Sequence, residues 1–123
     1  MFVEECWFIY GFKFLNLYIG FLKYHSTGSA AEVDFDWEKV LASKNLIGWC
    51  HSHPDNFEVT SEEDNKTMRS WVRALEKPLI CCIKCKTNKK RQNCYIFKRN
   101  QKTIEKQLTK SFLFNNLLIC QRR

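Results

Sequence analysis

The sequence predicts an α/β domain, one mixed sheet flanked by helices. Three observations predict it. Apolar and aromatic runs of strand length recur along the chain. Residues 61–76 place Met68, Trp71, Val72 and Leu75 at three- and four-residue intervals, the period of a helix with one buried face. The predicted order is strand, strand, helix, strand, helix, strand, strand, helix, and helices interleaved with strands cover a sheet in layers. The 123 residues are expected to form a single domain spanning 1–123.

The elements follow in order. Residues 3–11 are mostly apolar and aromatic and predict a buried strand. Residues 12–24 alternate loosely, with aromatics at 12, 14, 18, 21 and 24, and predict a second strand pairing with the first. Residues 26–32, around Gly28, predict a loop. Residues 36–44 have apolars at 37, 40 and 41 and predict a short helix capped by Asp34 or Asp36. A short buried strand is expected at 46–50, a loop at 51–60 and a helix at 61–76, ended by Pro78. Strands at 79–86 and 94–98 flank a basic turn at 87–93. Residues 103–120 predict a last helix, whose apolar half, 112–119, docks on the core.

Composition narrows the class. An apolar content of 45% and ten phenylalanines exclude a disordered chain. No apolar run is long enough to span a bilayer, so no membrane is expected. The 12–24 stretch is broken by Lys13, Asn16, Gly20 and Lys23 and lacks the pattern of a signal peptide. The seven cysteines are then expected to stay reduced, in the cytoplasm. The net charge of +7 is uneven. From Lys84 onward there are 12 Lys and Arg against one acid, Glu105; before it there are 8 basic and 12 acidic residues. A basic block of this kind suits an anionic partner, a nucleic acid or an acidic protein face, or serves only as a solvated surface.

The chemistry centres on His51-Ser52-His53-Pro54 and on Ser61-Glu62-Glu63-Asp64. Residues two apart on extended backbone project to one face, so His51 and His53 can enter one pocket. Pro54 holds His53 extended. Imidazole is the commonest zinc ligand, and an aspartate a short loop later supplies a third corner. Three protein ligands leave the fourth position to water, the layout of a catalytic rather than a structural zinc. The expected metal ligands are His51, His53 and Asp64, and the expected cofactor is Zn2+. Residues 61–64 also read as a capping box, and 60–63 read as one equally well. With Thr60 as the cap, Ser61 and Asp64 are free to share a face toward the pocket.

H-S-H-P followed by S-x-x-D at this spacing resembles the signature of the JAMM zinc metalloproteases, the catalytically competent branch of the MPN (JAB) domains. The run Leu46-Ile47-Gly48-Trp49-Cys50 resembles the family's strand entering the site, and the likeness covers roughly residues 3 to 100. The short chain is closest in plan to the compact prokaryotic JAB proteins. The resemblance implies an MPN/JAB-like, cytidine-deaminase-like architecture and hydrolysis of an (iso)peptide bond. The substrate it implies is a conjugate of ubiquitin or a ubiquitin-like protein. It implies a catalytic glutamate on an early strand, and Glu4, seven residues before Gly11, takes that place. Glu5 is the competing position, and Trp7 stands where the family usually has glycine. In this scheme Glu4 moves the proton of the attacking water to the leaving amine. Ser61 donates a hydrogen bond to the oxygen of the tetrahedral intermediate. Two other functions remain open. One is an inactive MPN-type scaffold that keeps its ligands without its base. The other is a nucleic-acid-associated JAB-like protein using the basic C-terminal third.

The cysteines carry less. Cys82-Ile83-Lys84-Cys85 has C-x-x-C spacing with no second pair to complete a zinc ribbon. In an apolar strand they are expected to act as small buried hydrophobes.

Overall fold

A computed structural model describes residues 4–28, 44–53, 60–85 and 92–122, and the side chains of all of these except 4, 25–28 and 85. Strand β1 (Glu4–Phe14) turns at Leu15-Asn16 into β2 (Leu17–Gly28). Strand β3 (Leu46–His53) leads to helix α1 (Glu62–Leu75), then to β4 (Leu79–Cys85) and β5 (Gln92–Asn100). Three short strands follow: β6 (Thr103–Leu108), β7 (Lys110–Phe114) and β8 (Leu117–Gln121).

All eight strands belong to one sheet, in the order β6-β5-β4-β3-β1-β2-β8-β7. β3 and β4 run parallel because α1 carries the chain back between them; the other pairs are antiparallel. β6 and β7 are at opposite ends of this order, yet Thr109 alone separates them in the chain. A one-residue link can join two edges only if the sheet curls until they meet. Thr109 makes that closure: its backbone N–H and its hydroxyl both donate to the Cys94 carbonyl, at 2.9 and 2.7 Å.

The molecule is therefore mostly strand, a curled half-barrel with one helix among the described residues. It is not the α/β mixed sheet flanked by helices that the sequence predicts, nor the cytidine-deaminase-like layering that the resemblance implied. The largest departure is 103–120, predicted as a docking helix and found as β6, β7 and β8. Burial there follows a period of two: Lys110, Phe112 and Phe114 point out, and Ser111 and Leu113 are partly covered. Asn115-Asn116 is a hairpin turn with Asn115 at φ 53°, a conformation asparagine tolerates. The apolar run 112–119 is thus two strands folded on each other, not one helical face. Strand β3 extends through His53, into the predicted loop, and β2 runs to Gly28. The helix expected at 36–44 lies outside the described residues except for Lys44, which is in a turn; Pro54 and residues 86–91 lie outside as well.

Curling divides the core in two. Inside it, Ile9, Tyr18, Ile80, Cys94, Leu118 and Cys120 pack together although β8 and β5 are far apart in strand order. Outside, α1 covers β3, β4 and β5 with Met68, Trp71 and Val72 against Phe8, Trp49 and Phe97. No helix among the described residues is long and apolar enough to cross a membrane.

Candidate metal centre

Strand β3 is buried along its whole length. Its alternation is reset once. Opposite β1 the register shifts between Ile9 and Tyr10, so that Ile9 faces Gly48 and Tyr10 faces Leu46. Leu46 and Trp49 consequently pack in the outer core, while Ile47 and Cys50 pack in the inner one. Gly48 makes this irregularity feasible. Its φ is +156°, and a Cβ there would lie 1.9 Å from the Ile80 carbonyl oxygen of β4. Bulges of this kind re-aim side chains beside functional sites. Beyond Gly48 the strand is regular, so Trp49, His51 and His53 share the face that α1 covers.

Helix α1 supplies the third group. Asp64, Met68, Trp71 and Val72 form its buried face, so Asp64 sits one turn before the core residues on the same stripe. Ser61 is the N-cap: its Oγ accepts the Asp64 N–H at 3.1 Å, and Asp64 Oδ2 accepts the Ser61 N–H at 2.9 Å. The capping box is therefore the one at 61–64. Thr60 does not cap; its hydroxyl donates to Asn65 Oδ1 at 2.9 Å. Capping does not remove Asp64 from the pocket, because Oδ2 also meets His53 Nε2 at 3.2 Å and Oδ1 lies 3.8 Å from His51 Nε2.

The three predicted ligands thus converge, at 2, 6 and 2% exposure for His51, His53 and Asp64. Burial holds His51 down to about 4, helped by the neighbouring His53 and opposed by Asp64. At neutral pH its ring is uncharged, the form that binds metals. Burial by itself would raise the Asp64 carboxyl. The hydrogen bond with His53, the charge of His51 and the Ser61 N–H outweigh it and hold Asp64 below the usual carboxylate range. Trp49 stands edge-on to His51 at 5.9 Å and to Trp71 at 4.2 Å, an aromatic wall that fixes the imidazole.

Among the described residues no group of three or more His, Cys, Asp or Glu stands arranged to hold a metal ion. The cluster is a histidine–carboxylate hydrogen-bonded pair with a second histidine beside it. Its edges are nevertheless short: a tetrahedral zinc with bonds of about 2.0 Å separates its ligand atoms by roughly 3.3 Å. The two histidine–aspartate contacts, 3.2 and 3.8 Å, lie near that length, while the His51 and His53 ring centroids stand 6.4 Å apart.

The glutamates separate differently. Cys6 is opposite His51 across the β1–β3 pair, and Glu4 occupies the register position two residues before it; its side chain lies outside the described residues. Glu5 alternates with Cys6, on the face of Trp7 and Ile9, and its N–H donates to Ser52 Oγ at 2.8 Å. Trp7 turns away from the histidines: its ring takes Lys84 Nζ over it at 4.3 Å and Tyr24 at its edge at 6.2 Å. At Trp7 the β1–β3 register is continuous, from Cys6 to Ile9, while the β1–β2 register shifts between Cys6 and Trp7. Lys106, not singled out in the sequence, reaches the N-terminal end of α1, where its Nζ donates to Thr60 Oγ1 at 2.9 Å. Reading 103–120 as a helix concealed this contact. Part of the basic block lies on the β5–β6 hairpin, with Arg99, Lys102 and Lys106 exposed.

No family model matches the chain, and no curated protein matches it.

Proposed function

We propose that this protein is a zinc-dependent metallopeptidase that hydrolyses an (iso)peptide bond, removing a ubiquitin-like modifier from its conjugate. One observation carries the reading: His51 and His53 from a strand and Asp64 from a helix start are all buried, with Asp64 3.8 Å from His51 and 3.2 Å from His53. The resemblance of their spacing to the JAMM signature supplies the reaction and the substrate class. His51, His53 and Asp64 would hold Zn2+, with the fourth position left to water. When bound, zinc lowers the pKa of its water to about 7 and polarises the scissile carbonyl.

The remaining work belongs to the chain. Neutral His51 and ionised Asp64 present lone pairs without prior loss of a proton at pH 7. Glu4 accepts the proton of the attacking water and passes it to the leaving lysine amine. Ser61 is exposed, and its Oγ uses a lone pair for the cap. Its hydroxyl hydrogen is left to donate to the carbonyl oxygen as negative charge develops there. The α1 N-terminus adds a partial positive charge to the same region. A cytoplasmic location agrees with the six described cysteines, which are buried and form no disulfide among them.

Zinc content per chain, measured with a His51→Ala/His53→Ala variant alongside, tests the site. Near one zinc per chain in the wild type and almost none in the variant is expected. Cleavage of ubiquitin-like conjugates, lost in Glu4→Gln with zinc retained, tests the reaction. Stoichiometric zinc without any cleavage would mean an inactive scaffold. A folded wild type that takes up no supplied zinc would falsify the metallopeptidase reading.

A further inference from the structure

We propose that this protein forms a homodimer by packing the bare half of its outer sheet face, strands β1, β2, β8 and β7, against the same face of a second copy. Helix α1 covers the other half of this face, over β3 to β5, and its cover ends at Phe8 and Tyr10. Beyond that point the sheet carries two apolar rows that run straight across four strands. Phe12, Ile19, Ile119 and Phe112 are successive register partners, and so are Tyr10, Phe21, Leu117 and Phe114. The opposite face of these strands is already filled by the inner core, with Tyr18, Leu22, Leu118 and Cys120 buried. The outer phenylalanines are therefore not needed to fold the chain.

They are exposed nonetheless. Phe12, Phe14, Phe21, Phe112 and Phe114 show 58, 59, 61, 58 and 63% of their surface. With 150–250 Å² per aromatic side chain, these five present roughly 600 Å². Half-buried Leu17, Ile19, Leu117 and Ile119 lie between them. The face then approaches the ~800 Å² that each partner gives to a stable interface, and exceeds the apolar patch an ordinary monomer exposes.

Self-association fits this surface. A two-fold dimer uses one patch on both copies, so the patch must complement itself. Neither row contains a charge, so a second copy brings no unpaired ion into the contact. The cations sit at the rim: Lys23 opposite Phe8, and Lys110 beside Gln121. Two such faces pack as a sandwich, their side chains interdigitating about 10 Å apart.

Sedimentation of the full chain at micromolar concentration tests this, with a Phe21→Lys/Phe112→Lys variant and a milder Phe112→Ser/Phe114→Ser variant on the edge strand. The wild type is expected as a dimer and both variants as monomers, with unchanged far-UV circular dichroism showing that they fold. A monomeric wild type overturns the proposal; another protein, or a segment of this chain outside the described residues, would then be the cover. A dimer that survives in a folded variant, or an assembly larger than two, overturns it as well.

Discussion

Asp64 is held from three directions: the Ser61 N–H at 2.9 Å, His53 at 3.2 Å and His51 at 3.8 Å. One carboxylate thus starts a helix and closes a pocket. Ser61 has a double position as well, as cap and as an exposed hydroxyl bonded to the Asp64 backbone. The two roles separate by substitution. Ser61→Ala should cost about 1 kcal/mol of stability, whereas Ser61→Gly should cost only a few tenths, because glycine is a tolerated N-cap. If the hydroxyl also serves the reaction, Ser61→Gly should lose about 100-fold in turnover at near-native stability, the scale for one oxyanion donor. Thermal unfolding and conjugate cleavage on the two variants decide it; wild-type turnover by Ser61→Gly would leave Ser61 a cap and nothing more. The sequence showed that a box existed but not which one, since Thr60 and Ser61 offer equal local chemistry. The folded chain breaks the tie: Ser61 and Asp64 exchange the two cap bonds, while the Thr60 hydroxyl turns to Asn65.

At the scale of elements, the histidines owe their direction to an irregularity at Gly48, three and five residues upstream. Without the shift at Gly48, strict alternation from Leu46 would place His51 and His53 on the other side of β3 from α1. Gly48→Ala sets a Cβ against the Ile80 carbonyl and forces a non-glycine residue to φ +156°. A loss of more than about 2 kcal/mol is expected in urea unfolding, from a strained conformation and a backbone clash together. Stability within experimental error of the wild type would show that the strand finds another path past β4. The residues of the pair were legible from their spacing, because a two-residue repeat holds on any extended backbone. The glycine was not. Its necessity comes from the approach of β4, a strand more than thirty residues away in sequence.

At the scale of the whole molecule, closure rests on Thr109, buried at 4% exposure between the two edges of the sheet. Thr109→Val removes the hydroxyl bond to Cys94 and leaves the backbone one, so a loss of about 1 kcal/mol is expected by thermal or urea unfolding. No change on that substitution would place closure in the apolar packing of the inner core instead. That core also accounts for the cysteines. Cys50, Cys82, Cys94 and Cys120 come from four strands and meet inside the curl; burial raises the thiols of Cys50 and Cys94, and hydrogen bonds with Cys50 and Cys94, together with burial, raise those of Cys82 and Cys120. They pack as small hydrophobes, as the sequence suggested.

By itself the sequence determined the local units. These were the first two strands, the helix at 61–76 with its Met68, Trp71 and Val72 stripe, the strands at 79–86 and 94–98, and the His51, His53, Asp64 set. Each is set by a periodicity or by a spacing within about a dozen residues. Tertiary structure decided the class. Residues 103–120 carry apolar side chains on both faces, which satisfies a helical stripe on paper as readily as two strands buried from inside and bare outside. Only the presence of β2 as a neighbour, and of a sheet curled far enough for Thr109 to bridge its edges, selects the strands. Tertiary structure also set Cys6 opposite His51, because that depends on β1 lying against β3, a pairing across more than forty residues of chain.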